Sequence, residues 1–259
     1  MRQGPRAVAV PRGADTAPLI VAHRGAWGMA PQNSLEALED AIALGCDAIE
    51  IDVRRTADGQ IVLVHDARLR LRTVGRLDHQ QVQARMKAGQ APLLEDVLER
   101  AAGRILVDVE LKEDGYVEAA MTAVRRHLAA DQYVVTSFRE PVLAQVRALV
   151  PEACTGLLLA PRRHRDLAKR VEAAGVSFIA PHVTLTHTPV SAWAAEHKLP
   201  MWVWTVNDRR ALRTALDDPQ VAAVITDEPE RALMLSRVGP AAAADRRATS
   251  RRRAARHLR

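Results

Sequence analysis

The chain has 259 residues, 48% apolar and 26% charged, which suits one large α/β domain with its own core and excludes a disordered chain. No apolar run approaches the roughly 20 residues that cross a bilayer. The formal charge of +6 is local, because residues 245–259 (DRRATSRRRAARHLR) hold seven arginines and one aspartate; the neutral remainder excludes a nucleic-acid binder with a basic face.

The first 20 residues contain arginines but no sustained apolar stretch. The expectation is an N-terminal extension over 1–18, no signal peptide and a cytoplasmic location. Cys46 and Cys154 adjoin apolar runs, so two reduced core thiols are predicted. Strand-like runs then follow at 19–23, 48–53, 104–111, 133–138, 155–160, 176–180, 201–206 and 222–226. Helix-like segments such as SLEALEDAIALG, YVEAAMTAVRRHLA, EPVLAQVRALV and HRDLAKRVEAAG lie between them. Repeated βα units at this spacing predict a (β/α)8 TIM barrel over residues 19–238. An open doubly wound sheet would carry a Gly-rich phosphate loop after the first strand, and this chain has none.

A ninth run, QIVLVH (60–65), follows Asp58-Gly59, a tight-turn signal. It is predicted to fold back antiparallel on the second strand, setting His65 opposite Glu50 and Ile51. Segment 66–92 is long for a βα connection and is expected to cover part of the barrel mouth. Residues 239–259 read as a disordered Arg-rich tail, a candidate for weak membrane-surface contact.

Charged residues close four of the apolar runs: His23-Arg24-Gly25, Glu50-Ile51-Asp52, His65-Asp66 and Glu110-Leu111-Lys112. Such groups are costly at the ends of buried strands without partners, so their recurrence points to one shared site. Alternation puts Glu50 with Asp52, and Glu110 with Lys112, on one side of their strands. Three convergent carboxylates without a thiolate favour a hard divalent metal, Mg²⁺ or Ca²⁺. His23 and His65 suit acid–base work, and Arg24 and Lys112 suit a phosphate. A salt-bridged rim built on Arg24, Arg54 and Lys112 is the purely structural alternative.

These motifs, in this order, together with Pro31-Gln32-Asn33-Ser34, Ser137-Phe138, WVWTVND (202–208) and ITDEP (225–229), resemble the glycerophosphodiester phosphodiesterase family across residues 19–235. The resemblance implies metal binding by Glu50, Asp52 and Glu110, acid–base catalysis by His23 and His65, and phosphate neutralisation by Arg24 and Lys112. It also places Trp204 where the family has an aromatic wall for the glycerol moiety. Trp202 shares a face with Trp204, and core packing is the other reading of either ring. The implied reaction is hydrolysis of a glycerophosphodiester to glycerol 3-phosphate and an alcohol, in which the substrate's own 2-hydroxyl attacks first and water opens the cyclic phosphate. Gln32 stands where the family has glutamate, which removes a charge but keeps a hydrogen-bonding group. Two other readings are a lysophospholipase D-like enzyme with an apolar groove formed by segment 66–92, and a phosphodiester-binding barrel without turnover. An aromatic content of 3% offers no choline cage, and the sequence indicates no specific nucleic acid partner and no oligomeric state.

Overall fold

The computed structural model describes residues 17–237 apart from 27, 29, 87–90 and 163–165. The N-terminal extension up to residue 16 and the Arg-rich tail lie outside the described residues. In chain order, β1 (Leu19–His23) leads to α1 (Leu35–Leu44) and β2 (Ala48–Arg55). Next come β3 (Ile61–Leu63), the two-residue strands β4 (Arg68–Leu69) and β5 (Arg72–Thr73), a 3₁₀ turn (Val74–Arg76), α2 (His79–Gln83) and α3 (Leu94–Ala101). Regular alternation follows: β6 (Leu106–Leu111), α4 (Val117–His127), β7 (Tyr133–Ser137), α5 (Glu140–Leu149), β8 (Thr155–Leu159) and α6 (Leu167–Ala174). The chain closes with β9 (Phe178–Pro181), a 3₁₀ turn (Val183–Leu185), α7 (Pro189–Glu196), β10 (Met201–Val203), α8 (Arg209–Asp217), β11 (Val221–Thr226) and α9 (Pro229–Ser236).

Eight of these strands form a closed parallel barrel in the order β1, β2, β6, β7, β8, β9, β10 and β11, with β11 pairing back to β1. This is the predicted (β/α)8 architecture. The sheet-forming runs are rich in Val, Ile and Leu and buried on both faces, as parallel strands covered by helices must be. Inside the barrel, Phe178 and Trp202 pack with ring centroids 4.9 Å apart, and both are fully buried. Gly156 on β8 makes room for them, since a Cβ there would meet the Phe178 ring at 2.3 Å. Cys46 and Cys154 are both free and buried in separate apolar clusters, and burial pushes each thiol up to about 12. Among the described residues no helix is long and apolar enough to cross a membrane.

The predicted hairpin is present. β3 runs antiparallel to β2 with Val53 opposite Leu63, and the Val64 N–H donates to the Asp52 carbonyl at 3.0 Å. Extending that register sets His65 beside Ile51. In segment 66–92, Leu69, Val74, Leu77, Val82 and Ala91 pack on Val62 and Val64 in a small core of their own. Strand β10 is also shorter than the predicted run, because the chain leaves the sheet after Val203 and Trp204 keeps only a single bridge to His182.

Candidate active site

The β1–α1 connection is shaped by its backbone. Arg24, Gly25 and Asn33 all have positive φ, at 58°, 82° and 56°. Gly25 has no substitute here, because a Cβ would lie 2.8 Å from the Ala37 carbonyl. Ser34 then caps α1, accepting from the Ala37 N–H at 3.0 Å. This tight path turns the Arg24 N–H onto Glu50 Oε2 at 3.1 Å and brings Asn33 against Asp52. Asn33 Nδ2 donates to Asp52 Oδ2 at 2.8 Å, and the Asp52 N–H donates to Asn33 Oδ1 at 3.1 Å. Gln32 Oε1 accepts from Arg24 Nη1 at 2.8 Å, so the amide still positions this guanidinium without a charge.

The three proposed ligand carboxylates converge. Glu50, Asp52 and Glu110 each offer an oxygen within 4.8 Å of the others, and all three are buried. Lys112 Nζ bridges Asp52 Oδ1 and Glu110 Oε2, at 2.6 Å from each, and Arg24 Nε lies 3.0 Å from Asp52 Oδ2. Burial pushes Glu50 well above the usual carboxylate range, and the nearby Asp52 and Glu110 charges push it further. Burial also raises Glu110, with Lys112 opposing. Burial works against Asp52 as well, but Lys112 and Arg24 outweigh it and hold this carboxyl low. For Lys112 burial disfavours the charge, and Glu110 and Asp52 more than restore it. Oε1 of Glu50 and Oε1 of Glu110 are buried without a hydrogen-bond partner. Unpartnered oxygens in a cluster with one more negative than positive side chain fit a hard divalent cation.

Both histidines face this cluster. His23 Nδ1 lies 2.6 Å from Asp227 Oδ1, and its Nε2 lies 3.8 Å from Glu50 Oε2. Burial would raise Asp227, but His23 and Asn207 hold it below the usual range, so it is an acceptor and His23 Nδ1 donates. Nε2 of His23 is then the nitrogen turned towards the carboxylate cluster. Asn207 locks Asp227 from the other side, with Nδ2 2.6 Å from Oδ2 and Oδ1 accepting the Asp227 N–H at 2.9 Å. His65 pairs through Nδ1 with Asp66 Oδ1 at 2.8 Å. Burial is the main reason that His65 titrates below the ordinary imidazole value.

A cavity of about 170 Å³ at the C-terminal end of the barrel joins these groups. His23, Arg24, Glu50, His65, Glu110, Lys112 and Trp204 line it, whereas Asp52 is fully buried beside Asn33. The opposite wall is apolar, formed by Phe138, Leu158, Trp204 and Ile225. Trp204 donates its indole N–H to the Ala180 carbonyl at 2.7 Å and meets Phe138 edge to face. Trp202 is the core ring of the pair. No described residue of segment 66–92 lines the cavity. The structural rim is half right: Arg24 and Lys112 pair with the cluster, whereas Arg54 pairs with Glu113.

Sequence reasoning gave no role to Asn33, Asp108, Asn207 or Asp227, and read Arg54 only as a rim cation. Asp108 sits opposite Glu50 in the sheet and accepts from Thr136 Oγ1 at 2.7 Å. Burial raises its carboxyl well above the usual range, with Glu50 adding to the effect. Alternation along β6 from Glu110 was the signal that would have found it.

The model of the glycerophosphoryl diester phosphodiesterase family matches residues 23–231. The chain belongs to this family. A glycerophosphodiester phosphodiesterase of Bacillus altitudinis is 29% identical over 239 residues, covering 83% of this chain and 97% of that protein. The Bacillus subtilis protein YqiK is 37% identical over 152 residues, covering 51% of this chain and 63% of that protein. Among solved structures, an Oleispira antarctica phosphodiesterase in complex with the product sn-glycerol-3-phosphate matches with a TM-score of 0.74. That structure is 23% identical and covers 85% of this chain and 96% of its own, so it supports the barrel of this glycerophosphodiester phosphodiesterase family member.

Proposed function

We propose that the protein hydrolyses glycerophosphodiesters to glycerol 3-phosphate and an alcohol, with Glu50, Asp52 and Glu110 holding Mg²⁺ or Ca²⁺. The observation that carries this reading is a cluster of three carboxylates, two of which line one cavity together with two imidazoles and an apolar opposite wall. The ion, when bound, supplies positive charge to the phosphoryl oxygens. Arg24 and Lys112 add fixed charge on the same side, where it stabilises the transition state more than the ground state.

One imidazole takes the proton of the attacking hydroxyl, first the substrate's own 2-hydroxyl and then water. The other returns a proton to the leaving alkoxide. His23 enters with Nε2 free to accept, because Asp227 holds the Nδ1 proton. The Trp204 and Phe138 wall packs on the carbon face of the glycerol moiety. A cavity of about 170 Å³ is small among ligand pockets and suits a phosphate with a short polyol.

The test is release of glycerol phosphate from a panel of water-soluble glycerophosphodiesters and lysophospholipids. Release from the soluble diesters supports the reading. Release from lysophospholipids alone assigns the chain to the lysophospholipase D-like alternative, and binding without release makes it a binding barrel.

A further inference from the structure

Directly after His65-Asp66 the chain turns outward into the β4–β5 hairpin, residues 68–73 (RLRLRT). Its tip carries Leu71, 85% exposed, against 57% for Met234, the next most exposed large apolar side chain among the described residues. Arg68, Arg70 and Arg72 flank it, and Arg76 follows in the next turn, all exposed. None of the four pairs with a carboxylate among the described residues. Arg68 only donates to the Leu71 carbonyl, at 3.3 Å. The base of the hairpin is held firmly, because Leu69 and Val74 are buried with Val62 and Val64.

An anchored tip that presents an exposed leucine among four unneutralised arginines combines an apolar side chain with concentrated positive charge, the pairing that suits an anionic interface. We propose that hairpin 68–73 docks the protein on an anionic lipid surface, with Leu71 entering the headgroup layer and the arginines meeting lipid phosphates. Nucleic acid would satisfy the arginines and leave Leu71 in water. A protein partner would need far more area than a six-residue tip offers. The docking is independent of the reaction assigned to the cavity.

The experiment is co-sedimentation of the full chain with phosphatidylcholine vesicles, with and without phosphatidylglycerol. Three proteins are compared: wild type, Arg68→Gln/Arg70→Gln, and Leu71→Ser. Thermal unfolding midpoints check that the variants fold. Wild type should sediment only with the anionic vesicles. The double variant should bind roughly thirty-fold more weakly, at about 1 kcal/mol for each arginine. Leu71→Ser should weaken binding roughly ten-fold, and the loss should persist in high salt. Unchanged vesicle binding by both folded variants, or no binding by wild type, overturns the proposal. Loss of affinity for a single-stranded RNA probe without loss of vesicle binding overturns it in favour of nucleic acid.

Discussion

The guanidinium of Arg54 donates from Nε and Nη2 to the main-chain carbonyl of His65, at 3.1 and 2.8 Å. Arg54 is buried on β2, two residues beyond Asp52 and on the same face, and its Nη1 is held by Glu113. One strand therefore supplies Glu50 and Asp52 and also fixes the backbone of a proposed acid–base residue on the returning hairpin.

A lysine cannot reproduce this two-pronged donation. Arg54→Lys should keep the fold and lower kcat about ten-fold or more while leaving KM nearly unchanged, since misplacement of a proton-transfer group is read in the chemical step. Steady-state kinetics on a soluble glycerophosphodiester checks this. A wild-type kcat would show that the carbonyl clamp has no part in catalysis.

Asp227 acts on His23 in a comparable way through the side chain. Asp227→Asn is nearly isosteric, but it removes the charge that holds the Nδ1 proton in place. Turnover should fall by roughly 10²–10⁴-fold with little change in stability, as when an imidazole loses its orienting carboxylate. Rates of glycerol-phosphate release and a denaturant midpoint, taken together, separate this from unfolding.

The titration of His65 gives a prediction with a definite sign. Burial disfavours its charged form, so the folded value lies below the unfolded one of about 6.5. The stability contributed is present above pH ~6.5 and is lost as pH falls through the folded value, because the unfolded chain takes up the proton first. NMR titration of the His65 ring in metal-free protein should give a midpoint below about 6.5, leaving a neutral imidazole at pH 7. A midpoint above that would contradict the burial argument.

Asn33 makes two hydrogen bonds with the buried Asp52 from a backbone at φ 56°. Asn33→Ala should destabilise the protein by about 1–3 kcal/mol, because it strands buried polar groups. Asn33→Gly removes the same bonds while relieving the backbone, so it should be the less harmful of the two. Equal midpoints for both variants and wild type in urea would show that Asp52 does not depend on this residue.

The barrel was legible because its strands are short, apolar and separated by amphipathic helices. LIVAH matches β1 residue for residue, and the other seven runs differ from their strands by a few residues at the ends. The charged members of the site were legible because polar groups closing apolar runs stand out locally. Their supports were not. His23 and Asp227 are 204 residues apart and meet only because β1 and β11 are neighbours in the closed sheet. Arg54 could be read as one more rim cation, since its partner is a main-chain carbonyl that no sequence pattern reports. The packing of segment 66–92 was not legible, because its apolar residues lack any clear period and do not reveal which surface they cover. Val62 and Val64, which lie opposite Arg54 and Asp52 in the hairpin, supply that surface.

In the proposed function the carboxylate cluster serves phosphodiester hydrolysis by holding a divalent ion. The most direct measurement is turnover of the metal-stripped protein on a glycerophosphodiester, with Mg²⁺ or Ca²⁺ added back, in wild type and in Glu110→Gln. Without metal no turnover is expected; addition should restore it in wild type, and recovery in Glu110→Gln should be lower by several orders of magnitude or absent. Full turnover in the presence of chelator, or wild-type recovery in folded Glu110→Gln, would contradict it.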